Sequence, residues 1–506
     1  MRLVIVLAAL ALAAPLAPPA ASSTAPGVLE GFAVAPLVPL AVPTAIEFGP
    51  DGDLYATTLG GDVVRVHLAW TAAGPVATGT SVLASGFSLP LGLAFDGTRV
   101  FVSDSHEGAE SGRTDGRVTM LDGAARVVVL DGLPNGRHNT NNLRLGPDGL
   151  LYVTNGNPND NGVDGGEADV LPVSGAILRA DPDVLAASPA VFRWPAGVAP
   201  QDLHAHPANA DFRAKVEVFA SGFRNVYDVA FSPEGVAYTA MNGADAPSSQ
   251  DALYRIAPGT DYRFPDCYNE GEPGAVGADV RVVPNPVLEA DCTGAPPAAA
   301  LLGWHVCATG LDVPPAGSPF GRAVYVGECA FFFPEPERGV TRHDTSHKVA
   351  RVLLDAQGDA VEVQDFLVGT ALVTDVRFGP DGALYVADAE GVLRVAPARP
   401  TVPVLAAGFS FAPPLLVVPA GTTVEWQGAA LPHTVTTAAT LDDARAGRAN
   451  DRANADGDPD TFHRALPQGG VVRHAFAAPG TYAYYCELHR GLGMVGEVVV
   501  LPGLTR

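Results

Sequence analysis

One phrase returns along most of this 506-residue chain, and it limits the fold more than any other feature. It reads Thr44-AIEFGPDGDLYATT, then Leu91-GLAFDGTRVFVSD, Asn142-LRLGPDGLLYVTN, Tyr227-DVAFSPEGVAYTA and Thr374-DVRFGPDGALYVAD. A looser copy, Gly310-LDVPPAGSPFGRAVYVGE, falls between the last two. Each copy is a strand of alternating apolar residues, a turn of the Pro-Asp-Gly type, and a second strand. Most run on into a third strand, as in Asp62-VVRVHL, Ala176-ILRAD, Ala252-LYRIA, Lys348-VARVLLD and Gly391-VLRVA. Short antiparallel strands repeated at a regular interval are the pattern of a β-propeller, in which each unit buries its faces against its neighbours. Six units between about residue 28 and residue 398 predict six blades. An array of β-sandwiches would not need units that share one internal turn. No sustained 3.6-residue periodicity competes with the strands, so the fold class is all-β.

The pattern stops at Ala396-PARPTVP, with a linker expected over 399–402, and residues 403–503 read as a second domain. Four residues there carry chemistry. His433 lies in Leu431-PHTVTT, and Cys486, His489 and Met494 lie in Tyr485-CELHRGLGMVGEVVV. Two imidazoles and a thiolate with a weak axial thioether are the donors of a blue (type 1) copper centre. Soft sulfur and imidazole disfavour calcium and magnesium, and this domain has no clustered His-x-His pairs to hold the further coppers of an oxidase. Three ligands on one loop between two strands are held with little freedom to reorganise, which suits passing single electrons. The segments Gly408-FSFAPPLLVVPAGTTVEWQGAALPHTV and Pro479-GTYAYYCELHRGLGMVGEVVV resemble plastocyanin and related small blue copper proteins over nearly the whole domain. The resemblance implies a Greek-key β-sandwich and one-electron shuttling, with the ligand roles falling on His433, Cys486, His489 and Met494. The polar stretch Leu441 to Asp460 departs from it and reads as a surface excursion between strands.

Met1-Arg2, the apolar run Leu3 to Leu16 and the small residues Ala20, Ala21 and Ser22 have the form of a secretory signal over residues 1–21. The apolar run is too short to favour a spanning helix, and no later stretch is long and apolar enough, so no membrane insertion is expected. The reading is a soluble protein exported to the periplasm or beyond. Export makes the five cysteines readable as two disulfides and one special thiol, Cys486. Nearest-neighbour pairing, Cys267–Cys292 and Cys307–Cys329, is the expectation among three connectivities. The formal net charge of −24 argues against nucleic acid or an anionic membrane surface as partner, since both would repel the chain.

The propeller repeats carry a second resemblance. Ala220-SGFRNVYDVAFSPEG, Arg137-HNTNNLRLGPDGLLYVTNG, Gly259-TDYRFPDCYN and Gly303-WHVCATGLDV are similar to the glucose/sorbosone dehydrogenase family, whose members are exported six-bladed propellers. That family oxidises sugars with pyrroloquinoline quinone held by calcium. Carried across, His138 matches its general base, and Arg224 and Asn225 match the pair that contacts the quinone. Gly243 and Ala244 fall where it offers backbone carbonyls to calcium, with Asp251 a further calcium candidate nearby. The arginine-rich stretch before the last blade strand in the glucose enzyme reads Ala371-LVTDV here and has no arginine. The run Asn155-GNPNDNGVDGGEAD meets no ligand-spacing rule and reads as a solvated cluster of turns. The first reading is therefore a quinoprotein dehydrogenase for an aldose or polyol that hands electrons to its own copper domain. The second is an electron-transfer protein whose silent propeller docks a redox protein partner or a glycan. A lactone-hydrolysing propeller is a third, disfavoured by the copper domain.

Overall fold

A computed structural model of the chain describes residues 26–501, apart from 30, 72–73, 109–110, 112–113, 160–162, 165–166, 169, 245–248, 289, 330–346, 399–400, 420, 430, 450–460 and 477. The expected signal segment and the second half of the 441–460 excursion lie outside the described residues. The chain forms two compact units, with the main break between Pro397 and Ala398.

Six sheets of four or five strands, antiparallel but for an outermost parallel pair in two of them, form the ring of the first unit, and each opens with one of the repeated phrases. Their inner strands are Pro43–Phe48, Gly92–Asp96, Thr140–Leu145, Asn225–Phe231, Ala308–Asp312 and Val373–Phe378. In every sheet the chain then steps outward strand by strand, which makes these blades 1 to 6 of an all-β propeller. The last blade supplies only three strands of its own. Its outer strand is Phe32–Pro39 from the other end of the unit, paired antiparallel with Gly391–Pro397, so the ring is closed by hydrogen bonds between first and last segments. Gly27–Val28 likewise adds to blade 5 by pairing with Val368 and Leu367.

The repeated phrase has a local cause. In the Pro-Asp-Gly turns Gly52, Gly149 and Gly382 take φ of 80°, 77° and 71°, a region that suits glycine. The turn aspartate reaches the tyrosine four residues on: Tyr55 Oη donates to Asp51 at 2.8 Å and Tyr152 Oη to Asp148 at 2.9 Å. That ring lies over the glycine preceding the proline. A Cβ at Gly49, Gly146 or Gly379 would stand 2.6, 2.4 or 2.4 Å from the ring of Tyr55, Tyr152 or Tyr385. Sequence, turn and packing are thus one device, used in blades 1, 3 and 6. Blade 4 reads Pro-Glu-Gly instead, and its Tyr238 Oη donates to Gly358 O at 2.6 Å.

The meander fixes where function can sit. The Pro-Asp-Gly turns all lie at one end of the ring, while the loops entering each inner strand and those joining second to third strands share the other. Between the blades the inner strands bury an ion cluster. Arg377, 1% exposed, donates from Nη1 to Asp228 Oδ2 at 2.8 Å and to Asp375 Oδ1 at 2.9 Å, linking blade 6 to blade 4. Arg144 of blade 3 lies 3.4 Å from Asp228 and 3.6 Å from Asp312 of blade 5. Burial beside Asp228 pushes the Asp375 carboxyl up to about 7, against the pull of Arg377. Two disulfides close the unit's long loops, Cys267–Cys292 and Cys307–Cys329, the nearest-neighbour pairing.

The second unit is a sandwich of two sheets. One contains Ser410–Ala412, Thr401–Ala407, Thr423–Gly428 and Val471–Ala475; the other contains Leu415–Pro419, Val495–Leu501, Gly480–Tyr485, His433–Ala438 and His463–Leu466. Parallel pairs, Thr401–Ala407 with Thr423–Gly428 and Leu415–Pro419 with Val495–Leu501, join strands distant in sequence, as a Greek key requires. Trp426, fully buried, packs edge-on against Tyr484 at 5.2 Å in the core between the sheets. The polar excursion opens with a short helix, Leu441–Arg445, capped by Thr440, whose Oγ1 accepts from Asp443 N at 3.1 Å.

Candidate functional site

In the second unit, one strand and one loop bring sulfur and imidazole together. His433 opens the strand His433–Ala438, and Cys486 follows directly on Gly480–Tyr485. The strand register pairs Thr436 with Tyr485, which sets the two side by side. The chain then turns through Glu487–Leu492, carrying His489, and comes back so that Cys486 N donates to Met494 O at 3.0 Å. Cys486 Sγ stands 3.4 Å from His489 Nδ1 and 3.9 Å from His433 Nδ1. Donor atoms of His433, Cys486 and His489 all lie within 4.8 Å of one another. Cys486 and Met494 are fully buried in the same core cluster, and His433 is 1% exposed.

The sulfur is placed as an acceptor. Thr434 N donates to Cys486 Sγ at 3.3 Å, and Thr434 Oγ1 accepts from Glu487 N at 2.7 Å, so this threonine ties the His433 strand to the ligand loop. The sequence reading passed over Thr434, although its place directly after His433 was the available signal. Two soft ligands and two imidazoles in a buried, preformed pocket fit copper and offer calcium no oxygen ligand. The Phe409 ring lies 5.2 Å from the half-buried His489 ring, and Phe409, Leu488 and Leu492 are 53, 60 and 59% exposed.

In the first unit the predicted residues fall on the loop end opposite the Pro-Asp-Gly turns, linked by one chain of hydrogen bonds. His138 sits on the loop entering blade 3, and its Nδ1 donates to Asn157 O at 2.5 Å. Asn157 N in turn donates to Arg224 O at 2.6 Å, on the loop entering blade 4. Arg224 Nη1 donates to Asn242 O at 3.3 Å, and next in sequence Gly243 N donates to Asp251 Oδ1 at 2.8 Å. Asp251 Oδ2 accepts from Cys307 N at 2.7 Å, on the loop entering blade 5. Asn225 Oδ1 accepts from Asn141 Nδ2 at 2.8 Å beneath this chain. The loops of three blades therefore converge on a polar cup.

His138 is 2% exposed, and burial, with Arg224 close by, holds its imidazole well below the usual range. It is neutral, with the proton committed at Nδ1 and the lone pair at Nε2. Asp251 is shifted the other way, upward, by burial, while the amides of Gly243 and Cys307 oppose the shift. Both its oxygens hold backbone, so its place is that of a brace for the Gly243 and Ala244 segment. Ala244 N is fixed as well, donating to Ser249 Oγ at 2.8 Å. Near Asp251, burial pushes Glu328 up to about 8. Arg377 is the nearest arginine after the Ala371-LVTDV segment, and it is spent in the buried ion cluster. Sequence reasoning missed Asn157 and Asn141, which brace the cup, and the buried Asp228, Asp375 and Arg377, visible only as charges in otherwise apolar repeats.

Comparison with known proteins separates along the same line. Residues 401–501 match the family of copper binding proteins, plastocyanin/azurin, and residues 29–66 match the strictosidine synthase-like N-terminal family. A plastocyanin from a Synechococcus species is 38% identical over 93 residues, 17% of this chain; the match spans 61% of that relative's length. Among solved structures, the calcium structure of a Trichoderma reesei carbohydrate-active enzyme of family AA12 aligns with a TM-score of 0.55 at 16% identity, covering 74% of this chain and 97% of that one. The holo form of the pyrroloquinoline quinone domain of pyranose dehydrogenase from Coprinopsis cinerea gives the same TM-score of 0.55, at 16% identity, with 74% and 97% covered. At these identities the likeness is one of fold. The chain thus joins a six-bladed propeller with the fold of quinone-dependent sugar dehydrogenases to a plastocyanin-like cupredoxin unit.

Proposed function

We propose that the chain is an exported electron-transfer enzyme: its propeller oxidises a sugar or polyol with pyrroloquinoline quinone and calcium, and electrons pass to one copper ion in its cupredoxin unit. The observation that carries the copper half is the set of donors from buried His433 and Cys486 and half-buried His489 within 4.8 Å, with buried Met494 in the same core cluster as Cys486. For the oxidation it is His138, neutral and oriented by Asn157 O. When bound, the quinone would supply a two-electron acceptor and copper a one-electron couple, so the two electrons taken from each substrate would have to pass on to copper in two single steps.

The chain's own groups divide the remaining work. His138 Nε2 takes the hydroxyl proton of a substrate, a role that needs a neutral imidazole in the working pH range. The Arg224 guanidinium offers charge to the quinone's carboxylates, with Asn225 alongside. The carbonyls of Gly243 and Ala244 are oxygen donors of the kind calcium prefers. At the copper unit, the exposed apolar side chains of Phe409, Leu488 and Leu492 around His489 form the surface at which a redox protein partner would collect electrons.

The segment Ala371-LVTDV offers no arginine to the quinone, and this favours a second reading in which the propeller only binds. Purified protein supplied with quinone and calcium, then assayed with a panel of aldoses and an artificial electron acceptor, decides between them. Quinone-dependent oxidation that disappears in His138→Ala supports the first reading. Its absence with every sugar, while copper binds normally, leaves the second.

A further inference from the structure

Blade 4 carries a long insertion between its third strand, Asp251–Ile256, and its outer strand, Ala300–Gly303. Within it a hairpin pairs Cys267–Glu270 with Arg281–Pro284, and the loop between them lies along the outer strand: Gly274 N donates to Leu301 O and Leu301 N to Ala275 O, each at 2.9 Å. An open cleft of about 900 Å³ runs beside that loop, walled by Glu270, Glu272, Asp279, Arg281 and Trp304. Arg281 pairs with Glu270 at 3.0 Å, so three carboxylates against one guanidinium leave the walls acidic. Buried Gln250 donates from Nε2 to Gly271 O of the wall at 2.6 Å and leaves Oε1 without a partner.

Trp304 is presented by an unusual backbone. His305 and Cys307 take φ of 53° and 56°, left-handed values that non-glycine residues rarely adopt and keep only where the surroundings enforce them. Here they are enforced by the Cys307–Cys329 disulfide and by the Cys307 amide donating to Asp251 Oδ2. Asp251 also holds Gly243, so the cleft's aromatic wall and the rim of the polar cup hang on one carboxylate.

An indole face flanked by carboxylates is complementary to a neutral sugar ring. The ring's C–H face packs on the aromatic surface, and its hydroxyls donate to oxygens that can only accept. The same carboxylates repel an acidic sugar. We propose that this cleft is a second saccharide subsite, and that the substrate class is therefore a neutral oligosaccharide whose reacting end enters the cup while a following ring stacks on Trp304. The inference rests on the reading of the propeller as a sugar dehydrogenase and extends it to substrate length.

Titration calorimetry on the full copper-loaded chain, without quinone, tests it with cellotriose, maltotriose and xylotriose against glucose and digalacturonate. At least one neutral trisaccharide should bind more tightly than glucose, and digalacturonate more weakly than the neutral sugars. Trp304→Ala should weaken the trisaccharide about tenfold, the worth of one aromatic contact, and leave glucose unchanged. Trp304→Phe should restore most of the loss, which separates a lost contact from a misfolded loop. Equal trisaccharide binding by wild type and Trp304→Ala, or no trisaccharide binding at all, overturns the subsite. A trisaccharide that binds through Trp304 but is never oxidised keeps the cleft and sinks the dehydrogenase reading. Oxidation of glucose with no Trp304-dependent binding does the reverse.

Discussion

The two units hold their histidines in opposite ways. His433 and His489 turn Nδ1 toward one sulfur in a pocket made by a single strand and a single loop, and three of its four donors fall within residues 486–494. His138 is as buried as His433 but has no sulfur beside its ring nitrogens. Its partner is a backbone carbonyl, and its surroundings come from the loops of blades 3, 4 and 5, joined by hydrogen bonds across more than a hundred residues of sequence. The first arrangement is local and depends on ligand spacing. The second exists only when the whole ring is closed. A mutation should therefore act sharply and separately in the copper unit, and diffusely in the propeller.

Cys486→Ser makes the sharpest break. Without the thiolate the blue absorption band of copper-loaded protein should vanish entirely, because the colour belongs to the copper–sulfur bond. Thermal unfolding of the propeller should not move, and a shift there would show that the units are not separable in this way.

His138→Ala should leave the blue band intact and lower quinone-dependent turnover by about 10²–10⁴-fold, the usual worth of a positioned base. The pH profile sharpens the assignment. Burial and Arg224 hold the imidazole well below its ordinary 6.5, so its basic form persists and the rate should stay level as pH falls through 6.5, where an ordinary histidine would protonate. Stability carries the opposite sign. The unfolded chain takes up a proton at this residue near pH 6.5 and the native chain does not, so the histidine destabilises the fold as pH drops below that value. A rate that falls off near 6.5 would contradict the buried, neutral base.

Arg377→Met tests the diffuse side of the comparison. Removing this guanidinium leaves Asp375 as a buried carboxylate without its ion pair and Asp228 with only the more distant Arg144, a loss of about 3–5 kcal/mol for breaking such a cluster from one side. Denaturant unfolding should show the loss in the propeller, with the visible spectrum of the copper unit unchanged. Asp375, already pushed up to about 7, would take a proton, so the variant should recover part of its stability as pH is lowered toward 5.

How much of this could be read from the chain follows the same division. The repeated Pro-Asp-Gly phrase announced the blades because Asp51, Tyr55 and Gly49, and their counterparts in blades 3 and 6, form one self-contained contact within a few residues. The copper donors were legible for the same reason of local spacing. Closure of the ring by Phe32–Pro39 was not, since nothing in that strand marks its partner more than three hundred residues away. Nor was the bracing of the cup by Asn157: its contribution is a backbone carbonyl and amide, which every residue possesses. Asp251 shows the middle case, a conspicuous acid next to the right loop whose two oxygens turn out to hold amides.

Thr434→Ala is the mildest test. It removes the hydroxyl that receives the Glu487 amide but keeps the amide that donates to Cys486, so the cost should be about 1 kcal/mol. Copper should still bind, with a small shift of the band and a lower unfolding temperature for the copper unit alone. A loss as complete as that of Cys486→Ser would mean that the pocket is not preformed.

The most direct test of the central claim follows the blue band of copper-loaded protein, held under anaerobic conditions with pyrroloquinoline quinone and calcium, as aldoses and neutral oligosaccharides are added. The account predicts that a sugar bleaches the band, that bleaching requires the quinone, and that His138→Ala prevents it. A band that forms and that no sugar bleaches would contradict a propeller wired to its own copper, and the absence of any blue band would contradict the copper centre itself.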